Sequence, residues 1–176
     1  MTLAWQVGWL DPWWQQQHRD LPYVHEPFNN AQDLEVWREL GFTQSRFTGD
    51  MYDMRQPKPD WIDPFGQHFD MLHFSWSVYR MRPGDCIPEH GDTYQKFCDI
   101  HGITNINQIQ RVIVFLEDWQ SGHYFEIDQT PVVNWSAGDW VAWPGSTPHL
   151  AANMGCQDRY TLQLTGLVNS TVRTPA

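Results

Sequence analysis

The pattern His-x-Asp occurs three times in this chain, at His18/Asp20, His68/Asp70 and His90/Asp92, where composition alone would supply fewer than one. An imidazole and a carboxylate two residues apart provide two of the three groups of a 2-His-1-carboxylate metal site, whose remaining faces stay open for exogenous ligands. The tripeptide does not decide by itself; its context does. His90 and Asp92 follow "VYRMRPGDCIPE", which reads as a strand, a Pro-Gly turn and a short strand, and residues two apart on extended backbone point the same way. In a two-sheet β-fold a second histidine can reach that point from a strand much later in the chain. His149 fits, at the start of the extended stretch in "WPGSTPHLAANMG". Arg159 follows ten residues later within "DRYTLQLTG", on a strand that returns it beside the site.

The other histidines lack this setting. His18/Asp20 lies in the polar run "QQQHRD" and reads as a solvated loop, whereas His68/Asp70 opens a strand near Met71 and reads as a cap or local pair. His25, His73, His101 and His123 read as satisfied structural groups.

The elements that must carry these residues are short strands. From residue 71 onward "MLHFSWSVYRM", "RVIVFLEDW", "HYFEID", "VVNW", "WVAWP" and "RYTLQLTGL" are separated by turn residues such as "PGD", "SG" and "SAGD". Leu72, Phe74, Trp76 and Val78 alternate with His73, Ser75, Ser77 and Tyr79, the period of a strand buried on one face. Evenly spaced strands of this kind predict a mainly β sandwich or small barrel. "DTYQKFCDIHGITNINQI" interrupts the series as a short helix and loop. Residues 1–70 contain one clear helix in "NNAQDLEVWRELGF", with Asn30 as cap, Leu34, Trp37 and Leu40 at helical spacing and Gly41 as the stop. Six prolines predict irregular chain or short strands wrapped on the core for the rest of that segment.

At 176 residues the chain is the size of a single domain, able to bury roughly 70% of its unfolded surface. Eleven tryptophans and 41% hydrophobic residues exclude a disordered chain. A net charge of −10, with only Lys58 and Lys96 as lysines and no basic run, disfavours a nucleic acid partner. The start of the sequence has no basic region followed by a continuous apolar segment, and no apolar run approaches 18 residues, so neither a secretory leader nor a membrane span is expected. Cys86, Cys98 and Cys156 are odd in number and widely spaced, which fits reduced thiols in a cytoplasmic protein better than a disulfide framework.

The motif-bearing residues resemble the Fe(II)- and 2-oxoglutarate-dependent oxygenases, over about residues 71–167. "YRMRPGDCIPEHGD" is similar to the prolyl-hydroxylase-type segment in which a Tyr and a Pro-Gly turn lead into the metal motif. "RVIVFLEDWQSGHYFEI" resembles the following strand pair, and "AGDWVAWPGSTPHLAANMGCQDRYTLQLTG" the closing strands, which also resemble those of aspartyl/asparaginyl hydroxylases. The resemblance implies a double-stranded β-helix (jelly-roll, cupin-like) core over 71–167 within one oxygenase domain spanning 1–176, supported by the N-terminal segment 1–70, which in this family often helps build the substrate cleft.

It also implies His90, Asp92 and His149 as the Fe(II) ligands and Arg159 as the anchor for the far carboxylate of 2-oxoglutarate, with ascorbate as a reductant. A guanidinium fork matches a carboxylate bidentately; the alternative for Arg159 is a surface salt bridge to Asp158 or Glu126. Tyr79 is a candidate second donor to the same carboxylate, the alternative being an ordinary half-buried strand tyrosine. Trp135, Trp140 and Trp143 are read as core or cleft wall, and Asn153 as a group that orients a ligand from behind. The sequence departs from many prolyl-hydroxylase-like members at Gly122-His123, where they have Gly-Gly, and at Thr165-Gly166, where they have an aromatic. The implied activity is hydroxylation of an unactivated C–H bond in proline or another amino acid, free or within a peptide or protein. The rival is a non-catalytic cupin-like module that holds a metal or a small acid. A zinc enzyme is disfavoured by the lack of an H-E-x-x-H general base.

Overall fold

Two antiparallel sheets carry the chain, in a computed structural model that describes residues 5–42 and 48–168. The larger sheet contains β1 (Gln6–Trp9), β2 (Val24–Pro27), β3 (Thr48–Asp53), β4 (Met71–Met81), β6 (Ile109–Phe115), β9 (Asp139–Pro144) and β11 (Arg159–Val168), in the order β1-β9-β6-β11-β4-β3-β2. The smaller contains β5 (Cys86–His90), β7 (His123–Ile127), β8 (Thr130–Val132) and β10 (His149–Asn153), in the order β5-β10-β7-β8. Three helices, α1 (Ala31–Glu39), α2 (Asp63–His68) and α3 (Gln95–His101), pack around them. Among the described residues no helix is long and apolar enough to cross a membrane.

The period of two along the large sheet divides its side chains into two environments. On the face turned away from the small sheet, Trp76, Val78, Val112, Val114, Leu162 and Leu164 form a core with residues of the N-terminal segment, notably Trp14, Tyr52, Trp61, Ile62 and Phe65. On the opposite face Tyr79, Met81, Arg111, Arg159, Gln163 and Thr165 line a cavity between the sheets. Beside it Phe115, Phe125, Ile127, Trp135, Val141 and Trp143 close the interior. The alternation in β4 is therefore that of a strand covered on both sides. Its large apolar set meets the tryptophan-rich segment, and its more polar set meets the cavity.

The N-terminal chain does more than wrap the core. β1 adds to the large sheet beside β9, and β2 and β3 add to it beside β4. The helix α1 forms where the sequence places it: Asn30 Oδ1 accepts from Gln32 N at 3.1 Å, and Gly41 at φ 87° ends it. The predicted strand over "VVNW" instead lies at Thr130–Val132, because Asn134 turns left-handed at φ 60° and drops Trp135 into the core.

Leu72 is exposed, because β4 carries an extra residue opposite Gly166, with His73 at φ 49°, and the bulge shifts the alternation. His18 is fully buried, and its Nε2 donates to Glu117 Oε1 at 2.7 Å, so "QQQHRD" is an anchored turn and not a solvated loop. Burial pushes the Glu117 carboxyl up, but hydrogen bonds from His18 and Arg19 outweigh this and hold it at about 2.

A carboxyl depressed from about 4.5 to about 2 stabilises the fold above its unfolded value and loses that contribution as pH falls through the window between them. Acid unfolding of the protein should steepen between about pH 4.5 and 2, and Glu117→Gln should flatten that slope; an unchanged slope in chemical denaturation at stepped pH would contradict the anchoring role. Trp14 is wholly buried with Nε1 donating to Leu116 O at 3.0 Å. Its replacement by alanine should lower the unfolding free energy by about 3–5 kcal/mol in denaturant titration.

Candidate metal centre

The β5–β10 pairing sets His149 directly opposite His90 although 58 residues separate them in the chain. Their ring centroids lie 4.4 Å apart. Asp92 follows two residues beyond β5, and one ligand atom from each of His90, Asp92 and His149 falls within 4.8 Å of the others. Each imidazole is oriented from behind by the main chain: His90 Nδ1 donates to Pro88 O at 2.8 Å and His149 Nδ1 to Thr147 O at 2.9 Å. A carbonyl accepts only, so Nδ1 carries the hydrogen in both rings and a neutral ring presents its lone pair at Nε2. Burial pushes His149 down to about 4, more than offsetting the pull of Asp92, which leaves it neutral at pH 7. Burial would raise the Asp92 carboxyl, but the Arg111 guanidinium and then the two imidazoles hold it at about 2. Two imidazoles whose Nδ1 hydrogens are already committed and one ionised carboxylate, on the wall of an open cavity, are a donor set suited to a divalent ion.

Local sequence explains the placement. Phe28 and Trp37 flank the His90 ring at centroid distances of 5.2 and 6.1 Å, and Trp37 Nε1 donates to Glu89 O at 3.1 Å, tying α1 to the strand that carries the histidine. Gly91 answers to space: a Cβ there would lie 2.3 Å from Ser146 Oγ and 3.0 Å from Ser146 O, in the turn that leads into His149.

Arg159 opens β11 on the same cavity. Its guanidinium is buried 5.4–5.9 Å from the rings of Trp135, Phe115 and Phe125; Nη1 meets Met81 Sδ at 3.2 Å, and Nε has no partner among the described residues. Among the described residues no carboxylate pairs with it, so the alternative of a salt bridge to Asp158 or Glu126 does not apply. Burial lowers the guanidinium to about 10, still cationic at pH 7. A buried cation without a counter-ion is costly, and an anion entering the cavity would satisfy it. Tyr79 lines the same cavity and is buried, its ring seated against Gly49, where a Cβ would come within 2.1 Å of it. Burial, then the Asp85 charge, raises its hydroxyl above the usual range.

Other expectations resolve differently. Asn153 is committed to the backbone: Nδ2 donates to Met81 O and Gln157 O, each at 2.8 Å, and Oδ1 accepts from Gly155 N at 3.0 Å, so it ties β10 to β4 and orients no ligand. Trp135 and Trp143 are core and Trp140 packs partly buried on the outer face. His18/Asp20 and His68/Asp70 take no part in the cavity wall. Arg111, which the motif reading passes over, donates from Nε and Nη2 to Asp92 Oδ2 at 3.0 and 2.8 Å. Its only local signal is a lone charge inside the apolar run "QRVIVF".

No family model matches the sequence, and no curated protein matches it. Solved structures do. A Pseudomonas putida prolyl-4-hydroxylase superposes with a TM-score of 0.52 over 88% of this chain and 97% of that one, at 13% identity. The fold is a double-stranded β-helix. KdgF from Halomonas sp. (TM-score 0.42, 11% identity, 69% of this chain and 81% of that one) and the cupin domain of Schizosaccharomyces pombe Cnp3 (0.42, 10%, 68% and 64%) also match.

Gly91→Ala should weaken Co(II) binding, followed by visible absorption, by about tenfold. Adding Ser146→Ala should recover part of the loss, since the 2.3 Å conflict disappears and the 3.0 Å one remains.

Proposed function

We propose that this protein is an Fe(II)- and 2-oxoglutarate-dependent dioxygenase that hydroxylates an unactivated C–H bond, in proline or another amino acid, free or within a peptide or protein. The observation that carries the reading is the coexistence, on one cavity wall, of the His90-Asp92-His149 cluster and a buried guanidinium with no counter-ion among the described residues. A metal module alone has no use for the second feature, and an acid-binding module alone has none for the first.

His90, Asp92 and His149 would hold the iron, and Arg159, with Tyr79 as a second donor, would receive the distal carboxylate of 2-oxoglutarate. Iron and 2-oxoglutarate supply the oxidising power when bound: O2 is split between a C–H bond, which becomes C–OH, and the keto acid, which becomes succinate and CO2. The chain's own residues supply position and dryness. Trp135, Phe115 and Phe125 surround the guanidinium and keep water from competing for it, which strengthens a charge-assisted hydrogen bond there. The cavity is about 900 Å³, ample for a second molecule beside a five-carbon diacid. Phe28, Met51 and Arg55 bring the N-terminal segment to its wall. That shared wall supports treating 1–176 as one oxygenase domain, with 71–167 as its core and the N-terminal part as a side of the substrate cleft.

Anaerobic addition of Fe(II) and 2-oxoglutarate is expected to give a weak visible charge-transfer band, and admission of air to yield succinate. Absence of both, with a panel of amino acids and peptides, would leave a metal- or acid-binding module as the better account. Arg159→Ala should weaken 2-oxoglutarate binding by about 1.5–3 kcal/mol, roughly ten- to hundredfold, and Arg159→Lys should recover little of it; unchanged affinity would remove Arg159 from its assigned role.

A further inference from the structure

We propose that Arg111 is the positioning residue of this metal centre, fixing the one ligand that the strands themselves leave loose; the inference rests on the metal-site reading above. His90 and His149 sit on paired strands, and each ring is held through Nδ1 by a carbonyl of its own chain. Asp92 has neither support. It lies past the end of β5, and its carboxylate accepts two hydrogen bonds from Arg111, with the Tyr94 hydroxyl beside both groups.

Arg111 is well placed to impose direction. It projects from β6, a strand paired on both sides within the large sheet. Nε and Nη2 converge on Asp92 Oδ2, the same oxygen that lies 3.8 Å from His149 Nε2. Nη1 donates to Thr165 Oγ1 at 2.7 Å, and Thr165 stands opposite Arg111 in the β6–β11 register, so the guanidinium plane is pinned from the sheet side. The Tyr94 ring covers it at 5.6 Å, from a residue held at φ 51°, a backbone conformation that a tyrosine adopts only when its surroundings enforce it. Thr165 and the Tyr94 ring thus fix a planar fork, and the fork fixes the carboxylate towards the two imidazoles.

Two effects of Arg111 on a bound cation oppose each other. Its orienting bonds favour the ion, while its positive charge repels it. A substitution that keeps the charge separates them. Arg111→Lys retains the cation but cannot make the convergent pair to Asp92 together with the bond to Thr165.

The test is Co(II) titration of the full chain, read as affinity and as the visible ligand-field spectrum. Arg111→Lys is expected to bind Co(II) ten- to hundredfold more weakly than the parent, with an altered spectrum. Thr165→Val, which removes only the pin, should weaken it a few-fold, and this variant decides the matter if Arg111→Lys does not fold by circular dichroism. In an Asp92→Asn background, Arg111→Lys should cause no further loss, because the residue acts through Asp92. Parent-like affinity and spectrum in the folded Arg111→Lys protein, or parent-like affinity in Thr165→Val should the lysine variant not fold, would overturn the assignment while leaving the metal site standing. Failure of the parent to bind Co(II) would overturn the metal-site reading, and this inference with it.

Discussion

A guanidinium buried among three aromatic rings, its Nε without a hydrogen-bond partner among the described residues, is the constraint around which the interior is arranged. Desolvating that group without a counter-ion opposes folding. The fold tolerates it because the large sheet has a second, independent core on its other face, where Trp14, Trp61, Phe65 and their strand partners are packed apolar against apolar. The tryptophan-rich N-terminal segment is thus more than decoration on a barrel. It supplies stability on the outer face and frees the inner face to carry polar and charged groups.

That division follows from the two-residue period of β4, β6 and β11 running in register. Val78, Leu162 and Val114 align outward, while Tyr79, Thr161 and Phe115 align inward. Arg111 and Thr165 are one such inward pair, and Arg159 faces Met81 in another. The small sheet contributes the histidines, the large sheet the arginines, and Asp92 reaches from the loop after one sheet to a guanidinium on the other.

Much of this was readable in the sequence. The strand Met71–Met81 beyond its bulge and the helix capped by Asn30 follow local rules of alternation and capping, and the short helix after residue 94 lies in the segment that interrupts the strands, though it opens on a left-handed Tyr94 with no side-chain cap. That His90, Asp92, His149 and Arg159 meet at one cavity was legible because each occurs in a strand-and-turn setting whose spacing limits where it can go. Arg111 was not, since its partner lies 19 residues earlier and nothing in either segment announces the pairing. His18 likewise gains its partner, Glu117, only through the fold. Leu72 misled because a bulge changes the phase of a strand without a distinctive residue, and Asn153 because proximity to a histidine in sequence says nothing about which carbonyls its amide will meet.

Among the described residues the strand that bears His90 has one hydrogen-bonded neighbour, β10, so its other flank is a sheet edge of the sort that recruits foreign strands. Trp37 blunts it by donating its indole hydrogen to the Glu89 carbonyl from helix α1. The helix that lays its indole against the His90 ring therefore also caps a carbonyl on that open flank, so one side chain serves both the ring and the strand edge.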